Sequence, residues 1–198
     1  MTDAPRRYAD LHAASLADRE GFWLDAARAI DWDEAPTRAF DEAQGAYGRW
    51  FPEARLNVCR NAVDRHAEGG RADQPAIIHD SPVTGTQRTI TYGQLQDEVS
   101  VLAGLLADLG VGHGDRVVVY MPMVPEALFT MLACARLGAI HSVVFGGFAA
   151  NELAARIEDA APKVILAASC GIERPASSPT SRCSTPPSTA PPTSRRPA

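Results

Sequence analysis

Apolar residues recur along this chain with two different periods, and the alternation between them outlines a fold. The run from Arg116 to Phe148 reads RVVVYMPMVPEALFTMLACARLGAIHSVVFGGF. Val117–Tyr120 is a continuous apolar strand of the kind buried on both faces. Pro125 opens a helix from its first position, and Leu128, Met131, Leu132, Cys134, Ala135 and Leu137 give that helix a largely apolar surface. Gly138 stops it. Ile140–Phe145 is the next strand, also apolar on both faces, and Asn151–Ala160 the next helix. Pro162 breaks the chain before a last strand at Val164–Ala168.

Upstream, Ala76–His79 and Thr89–Thr91 read as short strands around a Pro/Gly/Thr-containing turn at Asp80–Arg88, which predicts a hairpin. Thr91 followed by Gln94 is a capping box. The helix it opens runs to about Leu109, with Leu95, Val99, Leu102, Leu105 and Leu106 facing inward, and Gly110 and Gly112 end it. Helices and strands alternating over short loops predict right-handed βαβ crossovers and a parallel sheet of four or five strands. The fold class is α/β.

The first 68 residues have a different texture. Tyr8–Ala17 and Arg19–Ile30 are helical, the latter with Phe22, Trp23, Ala26, Ala27 and Ile30 on one face. The stretch that follows is irregular but carries Trp32, Phe40, Tyr47, Trp50 and Phe51, too many aromatics for a disordered linker, so it is expected to lie pinned on a neighbouring surface. Asn57–His66 is a further short helix with Asn57 as cap. The last 25 residues hold only Arg, Pro, Ala, Ser, Thr and one Cys, and no core can be built from them. They are expected to be disordered and to arise from a frameshift. Read one base earlier, the codon families of Pro175–Thr189 permit a helix-periodic, partly apolar continuation. The expected organisation is a helical leader at 1–68, a partial α/β domain at 69–173 and a tail at 174–198.

Net charge is −5, which argues against a basic nucleic-acid-binding face. No stretch reaches the eighteen apolar residues of a membrane span, and the start lacks a secretory apolar region. Cys59, Cys134, Cys170 and Cys183 are widely spaced, without metal-ligand spacing. Reduced thiols fit a cytoplasmic protein.

No phosphate-loop or dinucleotide fingerprint occurs. The glycines of GVGHGD, 110–115, make a helix-stop turn. The carboxylates Asp31, Asp33, Asp41 and Glu42 read as solvated loop charges, and His141 as a core histidine. No catalytic residue and no metal ligand is assigned. The informative stretches are 120–123 and Phe145-Gly146-Gly147-Phe148, at the carboxyl ends of predicted parallel strands, where open α/β sheets bind ligands. Gly146 and Gly147 let a ligand approach the backbone or simply permit a tight turn.

These residues resemble the AMP-forming short-chain acyl-CoA synthetases of the adenylate-forming superfamily. Residues 120–148 are the most specific part of the likeness. Residues 88–117 resemble the start of the family's large N-terminal domain, and RWFPEARLNVCRNAVDRH at 49–66 resembles the leader of acetyl- and propionyl-CoA synthetases. Residues 30–42, 79–92 and 169–173 are more similar to the propionyl-CoA synthetase branch. The resemblance runs from 8 to 173. It implies ATP, CoA and Mg2+ as reactants and cofactor and a small carboxylate as substrate, while charge and hydropathy lead us to expect neither nucleic acid nor membrane as partner. It also implies that Phe145, Gly146 and Gly147 lie beside the pantetheine arm of CoA. The family's basic segment for the CoA phosphate would fall at about Glu173–Ala176, where this sequence departs from the pattern. The family's phosphate loop, adenine pocket and catalytic lysine have no counterpart in these 198 residues. The expectation is therefore an inactive N-terminal piece of a propionate–CoA or acetate–CoA ligase, with an interaction or CoA-binding module as the alternative.

Overall fold

The computed structural model describes residues 7–145 and 150–169. Strands β3 (Pro75–Ser81) and β4 (Thr86–Thr91) form an antiparallel hairpin, with Ile78 opposite Thr89 and His79 opposite Arg88. Helix α3 (Tyr92–Asp108) follows directly, because Thr91 and Gln94 close the capping box: Gln94 N donates to Thr91 Oγ1 at 3.3 Å, and Thr91 N to Gln94 Oε1 at 3.0 Å. Its buried stripe is Leu95, Val99, Ala103 and Leu106. Leu105, expected inward, is half exposed. At about 100° per residue it falls outside the stripe that Ala103 completes.

Strands β5 (Arg116–Met121), β6 (Ile140–Phe145) and β7 (Val164–Ala167) form a parallel sheet in the order β6-β5-β7. Helices α4 (Pro125–Leu137) and α5 (Ala150–Ala160) make the crossovers. The first connection steps one way from β5 and the second steps back past it, so right-handed crossovers place α4 and α5 on opposite faces. Val117, Val118 and Val119 are accordingly all 0% exposed. The sheet has three strands among the described residues rather than four or five, since β3 and β4 pair only with each other. β6 is also less covered than expected. Ile140 and Val143 are 55% and 51% exposed, and His141 is half-buried rather than core. An edge strand has one lateral neighbour, and the helices cover the central strand first.

The leader joins this core at its far end. Helices α1 (Tyr8–Ala17) and α2 (Arg19–Ala27) are joined at Asp18, whose Oδ1 accepts from Gly21 N at 2.9 Å. α2 ends at Ala27, three residues before the expected Ile30. Trp32 Nε1 takes the Ala27 carbonyl at 2.8 Å, an acceptor that a continuing helix would need. The irregular stretch contains an unanticipated pair, β1 (Phe40–Asp41) with β2 (Arg49–Trp50). It is pinned by aromatic contacts, as expected: Trp50 lies 5.4 Å from Trp23 and 5.0 Å from Phe40, and Trp32 lies 5.5 Å from Phe51. Residues 58–68 are helical, two beyond the expected end, with a π-helical turn at Arg60–Asp64, and Gly69 and Gly70, the latter with φ of +85°, break the helix before Arg71. Cys59 and Val63 of this segment enter the same core as Leu95, Val99, Phe129 and Cys134. The tail expected to be disordered and frameshifted lies outside the described residues.

Candidate functional site

The parallel sheet brings the two sequence-identified stretches side by side. Met121 at the end of β5 is in register with Phe145 at the end of β6, and Tyr120 stands between Val144 and Ala167. Ala168 N continues the ladder to Tyr120 O at 3.2 Å. Beyond Met121 the chain turns tightly, Val124 N donating to Pro122 O at 2.8 Å, and α4 begins at Pro125. Met123 is left 89% exposed at this turn. Phe145 therefore sits where expected along the backbone, while Gly146 and Gly147 lie outside the described residues.

Between Tyr120 and Pro125 there is no carboxylate, imidazole, thiol or amine. The first turn of α4 offers few free donors at this end of the sheet, since Pro125 has no N–H and Ala127 N donates to Val124 O at 3.1 Å. Its one acidic residue, Glu126, is already held by Arg88 of β4 at 3.0 Å. That pair, 38 residues apart, ties the hairpin to the strand ends, and no sequence pattern announced it. The described strand ends can offer backbone groups and two Met side chains to a ligand. Among the described residues they have no pair of groups for acid–base chemistry. Among the described residues no three His, Cys, Asp or Glu gather where they could hold a metal ion.

The polar groups concentrate at the opposite end of the sheet, and they are structural. Asp115 accepts from Gly112 N at 2.8 Å and from Lys163 Nζ at 3.0 Å. These contacts, Gly112 first, hold its carboxyl below the usual range. Arg116 Nε donates to Ala160 O at 2.9 Å and Nη2 to Ala161 O at 3.2 Å, fastening the end of α5. Gly110 and Gly114 have φ of +84° and +80°, as a helix-stop turn requires. Cys59 and Cys134 are buried and free. Burial pushes both thiols up, Cys134 to about 11, which makes them poor nucleophiles. Cys170 and Cys183 lie outside the described residues. Of the carboxylates read as solvated, Asp31, Asp33 and Glu42 are exposed, Asp31 lying 3.8 Å from Arg65 and Glu42 2.8 Å from Arg19. Asp41, with its side chain 16% exposed, is tied down instead and accepts from Ala43 N at 3.0 Å and from Arg38 at 2.9 Å.

Two family models match the chain. Residues 8–62 match the acetyl-coenzyme A synthetase N-terminus, and residues 63–193 match the AMP-binding enzyme model. An uncharacterized protein of Pseudomonas aeruginosa is 55% identical over 84% of this chain and 26% of its own length. The human mitochondrial acyl-CoA synthetase short-chain family member 3 is 53% identical over 81% of this chain and 24% of its length. An acetyl-coenzyme A synthetase of Streptomyces avermitilis is 49% identical over 84% and 25%. Among solved structures, an acetoacetyl-CoA synthetase from Streptomyces lividans superposes with a TM-score of 0.74 at 29% identity, over 85% of this chain and 26% of that one. The chain thus spans about a quarter of the length of the relatives it matches.

Proposed function

Because the chain belongs to the AMP-binding enzyme family and carries the acetyl-coenzyme A synthetase N-terminus ahead of it, we propose that it is the N-terminal part of a ligase. That ligase joins a short-chain carboxylate, propionate before acetate, to coenzyme A. In the complete reaction the carboxylate attacks ATP to form an acyl-adenylate and pyrophosphate, and the CoA thiol then displaces AMP. The observation that carries this reading is the side-by-side placement of the β5 and β6 carboxyl ends, Met121 in register with Phe145, in a chain half identical to acyl-CoA synthetases. These strand ends have the character of a binding floor. Phe145, Gly146 and Gly147 are the residues proposed to lie along the pantetheine arm. Phosphate and proton chemistry is assigned to the remaining three quarters of the longer protein, since no acid–base pair stands at these strand ends.

Propionate is preferred on the similarity of residues 30–42 and 79–92 to the propionyl-CoA synthetase branch. The acetate reading draws on the acetyl-coenzyme A synthetase of Streptomyces avermitilis. A cytoplasmic location is proposed on the two free, buried thiols.

A chimera tests the proposal: residues 1–169 replace the matching part of the human relative, and AMP release is measured with propionate and with acetate. Propionate-dependent release is expected. Faster release with acetate supports the second substrate, and a soluble chimera inactive with both overturns the proposal. The 198-residue chain alone is expected to release no AMP above background. Release above background would place the chemistry within this chain and overturn the division of labour.

A further inference from the structure

The turn that carries β5 into α4 is shaped by short-range bonds. Val124 N donates to Pro122 O at 2.8 Å and Ala127 N to Val124 O at 3.1 Å. The hydroxyl of Thr130, a buried residue, donates to the Glu126 carbonyl at 2.8 Å. None of these bonds spans more than four residues, so they set the form of the turn and not its place. On the β5 side the place is fixed by the ladder, with Met121 in register with Phe145. On the α4 side Pro125 and Phe129 are buried, but apolar burial is non-directional and leaves the helix free to tilt. Among the described residues, one side-chain hydrogen bond ties residues 122–126 to an element distant in sequence: Arg88 Nη1 donates to Glu126 Oε1 at 3.0 Å. Both ends of that tie are anchored. Arg88 pairs with His79 in the hairpin ladder, and Ile90, two residues on, is buried in the core. Glu126 has its backbone held by Thr130.

We propose that Arg88 and Glu126 are positioning residues of the strand-end site. A charge-assisted hydrogen bond is directional, so the pair sets the angle at which α4 leaves β5, and with it where the 122–124 turn stands beside Phe145. The inference deepens the ligase reading and rests on it for the ligand, the pantetheine arm of CoA. Arg88 and Glu126 act through the turn and do not touch the reacting atoms. Residues 122–124 carry no acid–base group, so the pair governs how well CoA is held and leaves the chemical step alone. The effect is small, because the two side chains are 49% and 52% exposed and an ion pair so exposed changes an equilibrium by about fivefold at most.

Amide hydrogen exchange in the 198-residue chain tests the tie without any ligand. Arg88→Gln and, independently, Glu126→Gln are expected to speed exchange at Val124 and Ala127 about threefold. Arg88→Lys keeps the charge and can replace the single contact to Glu126, so it should exchange like the parent. Kinetics of the chimera of residues 1–169 with the human relative test the consequence. Both Gln variants are expected to raise KM for CoA about threefold, with kcat and the KM values for ATP and propionate unchanged, and Arg88→Lys to restore the parent value. Unchanged exchange, unchanged KM for CoA, a fall in kcat in its place, or no rescue by Lys would overturn the positioning role. An active parent chimera with unaltered variants overturns that role alone. A soluble parent chimera inactive with both acids overturns the ligase reading, and the positioning role with it.

Discussion

Asn57 and Arg136, 79 residues apart, are joined by a hydrogen bond from Asn57 Nδ2 to the Arg136 carbonyl at 3.0 Å. The same amide nitrogen reaches Ala135 O at 3.4 Å, while Asn57 Oδ1 accepts from Arg60 N at 3.1 Å. One side chain thus starts the last helical segment of the leader and satisfies the end of α4. Asn57→Ala removes a cap and takes the side-chain donor from the Arg136 carbonyl, while Ala135 O keeps the Gly138 N–H at 3.2 Å, and is expected to cost about 2 kcal/mol. Asn57→Asp keeps the acceptor but loses both donations, and should cost nearly as much. The urea midpoints of the two variants check this.

The same junction holds a partly buried ion pair. Arg136 Nη2 donates to Asp64 Oδ1, and Nη1 to Ser100 Oγ. The two side chains are 21% and 16% exposed. Removing one partner strands the other in a poorly solvated site, so Arg136→Met or Asp64→Asn is expected to cost about 2–3 kcal/mol. The double variant should recover part of that loss, and a double-mutant cycle on unfolding free energies measures the recovery.

Glu53 and His66 in the leader make stability rise with pH, as does Asp41, whose carboxyl is lowered first by the Ala43 N–H. Glu53 Oε1 accepts from Thr37 Oγ1 at 2.5 Å, Thr37 N at 2.8 Å and Arg38 N at 2.9 Å. These bonds, the Thr37 hydroxyl first, lower its pKa from 4.5 to about 2. His66 is lowered from 6.5 by desolvation and by Arg71 and Arg65, and its Nδ1 accepts from Arg71 Nη1 at 3.1 Å. Its ring lies 4.9 Å from Tyr92. In each case the unfolded chain binds the proton more readily, so stability is fully present above the unfolded value and falls as pH drops toward the folded one. Midpoints from urea titrations should level off above pH 6.5 and decline below it, then decline again from 4.5 toward about 2. Glu53→Gln should make the lower window shallower, with Asp41 and Asp115 retaining the remainder, and His66→Phe should flatten the upper one.

Gly138 ends α4 with φ of +69°, and a Cβ there would come within 2.6 Å of His113 Cδ2. The imidazole can swing away, but the left-handed backbone remains costly for any residue with a Cβ. Gly138→Ala is expected to lose about 1–2 kcal/mol, read as a lowered Tm. Gly104, inside α3 with open space around it, is the contrasting site, where Ala should stabilise by about 0.5–1 kcal/mol.

Local chemistry made much of this molecule legible in one dimension. The Thr91–Gln94 capping box, Pro125 at the first position of α4 and Gly138 at its end act within a few residues, so their spacing alone marks the helix boundaries. The run of valines in β5 required a strand covered on both faces. The placement of the candidate site at the β5 and β6 ends followed from the same alternation. What failed to show was set by partners distant in sequence. α2 stops at Ala27 because Trp32 takes its carbonyl, and β1 and β2 are two-residue strands too short for any period to register.

By itself, then, the sequence determined the order and kind of the elements in the α/β core. Capping, periodicity and glycine conformation are short-range effects and are written into neighbouring residues. Only the tertiary structure decided that Asn57 closes α4, that Arg136 finds Asp64, that Arg88 ties the hairpin to α4, and that β6 remains a half-covered edge. Those outcomes depend on which surfaces meet when the crossovers fold back, and the residues that meet there are tens of positions apart in the chain.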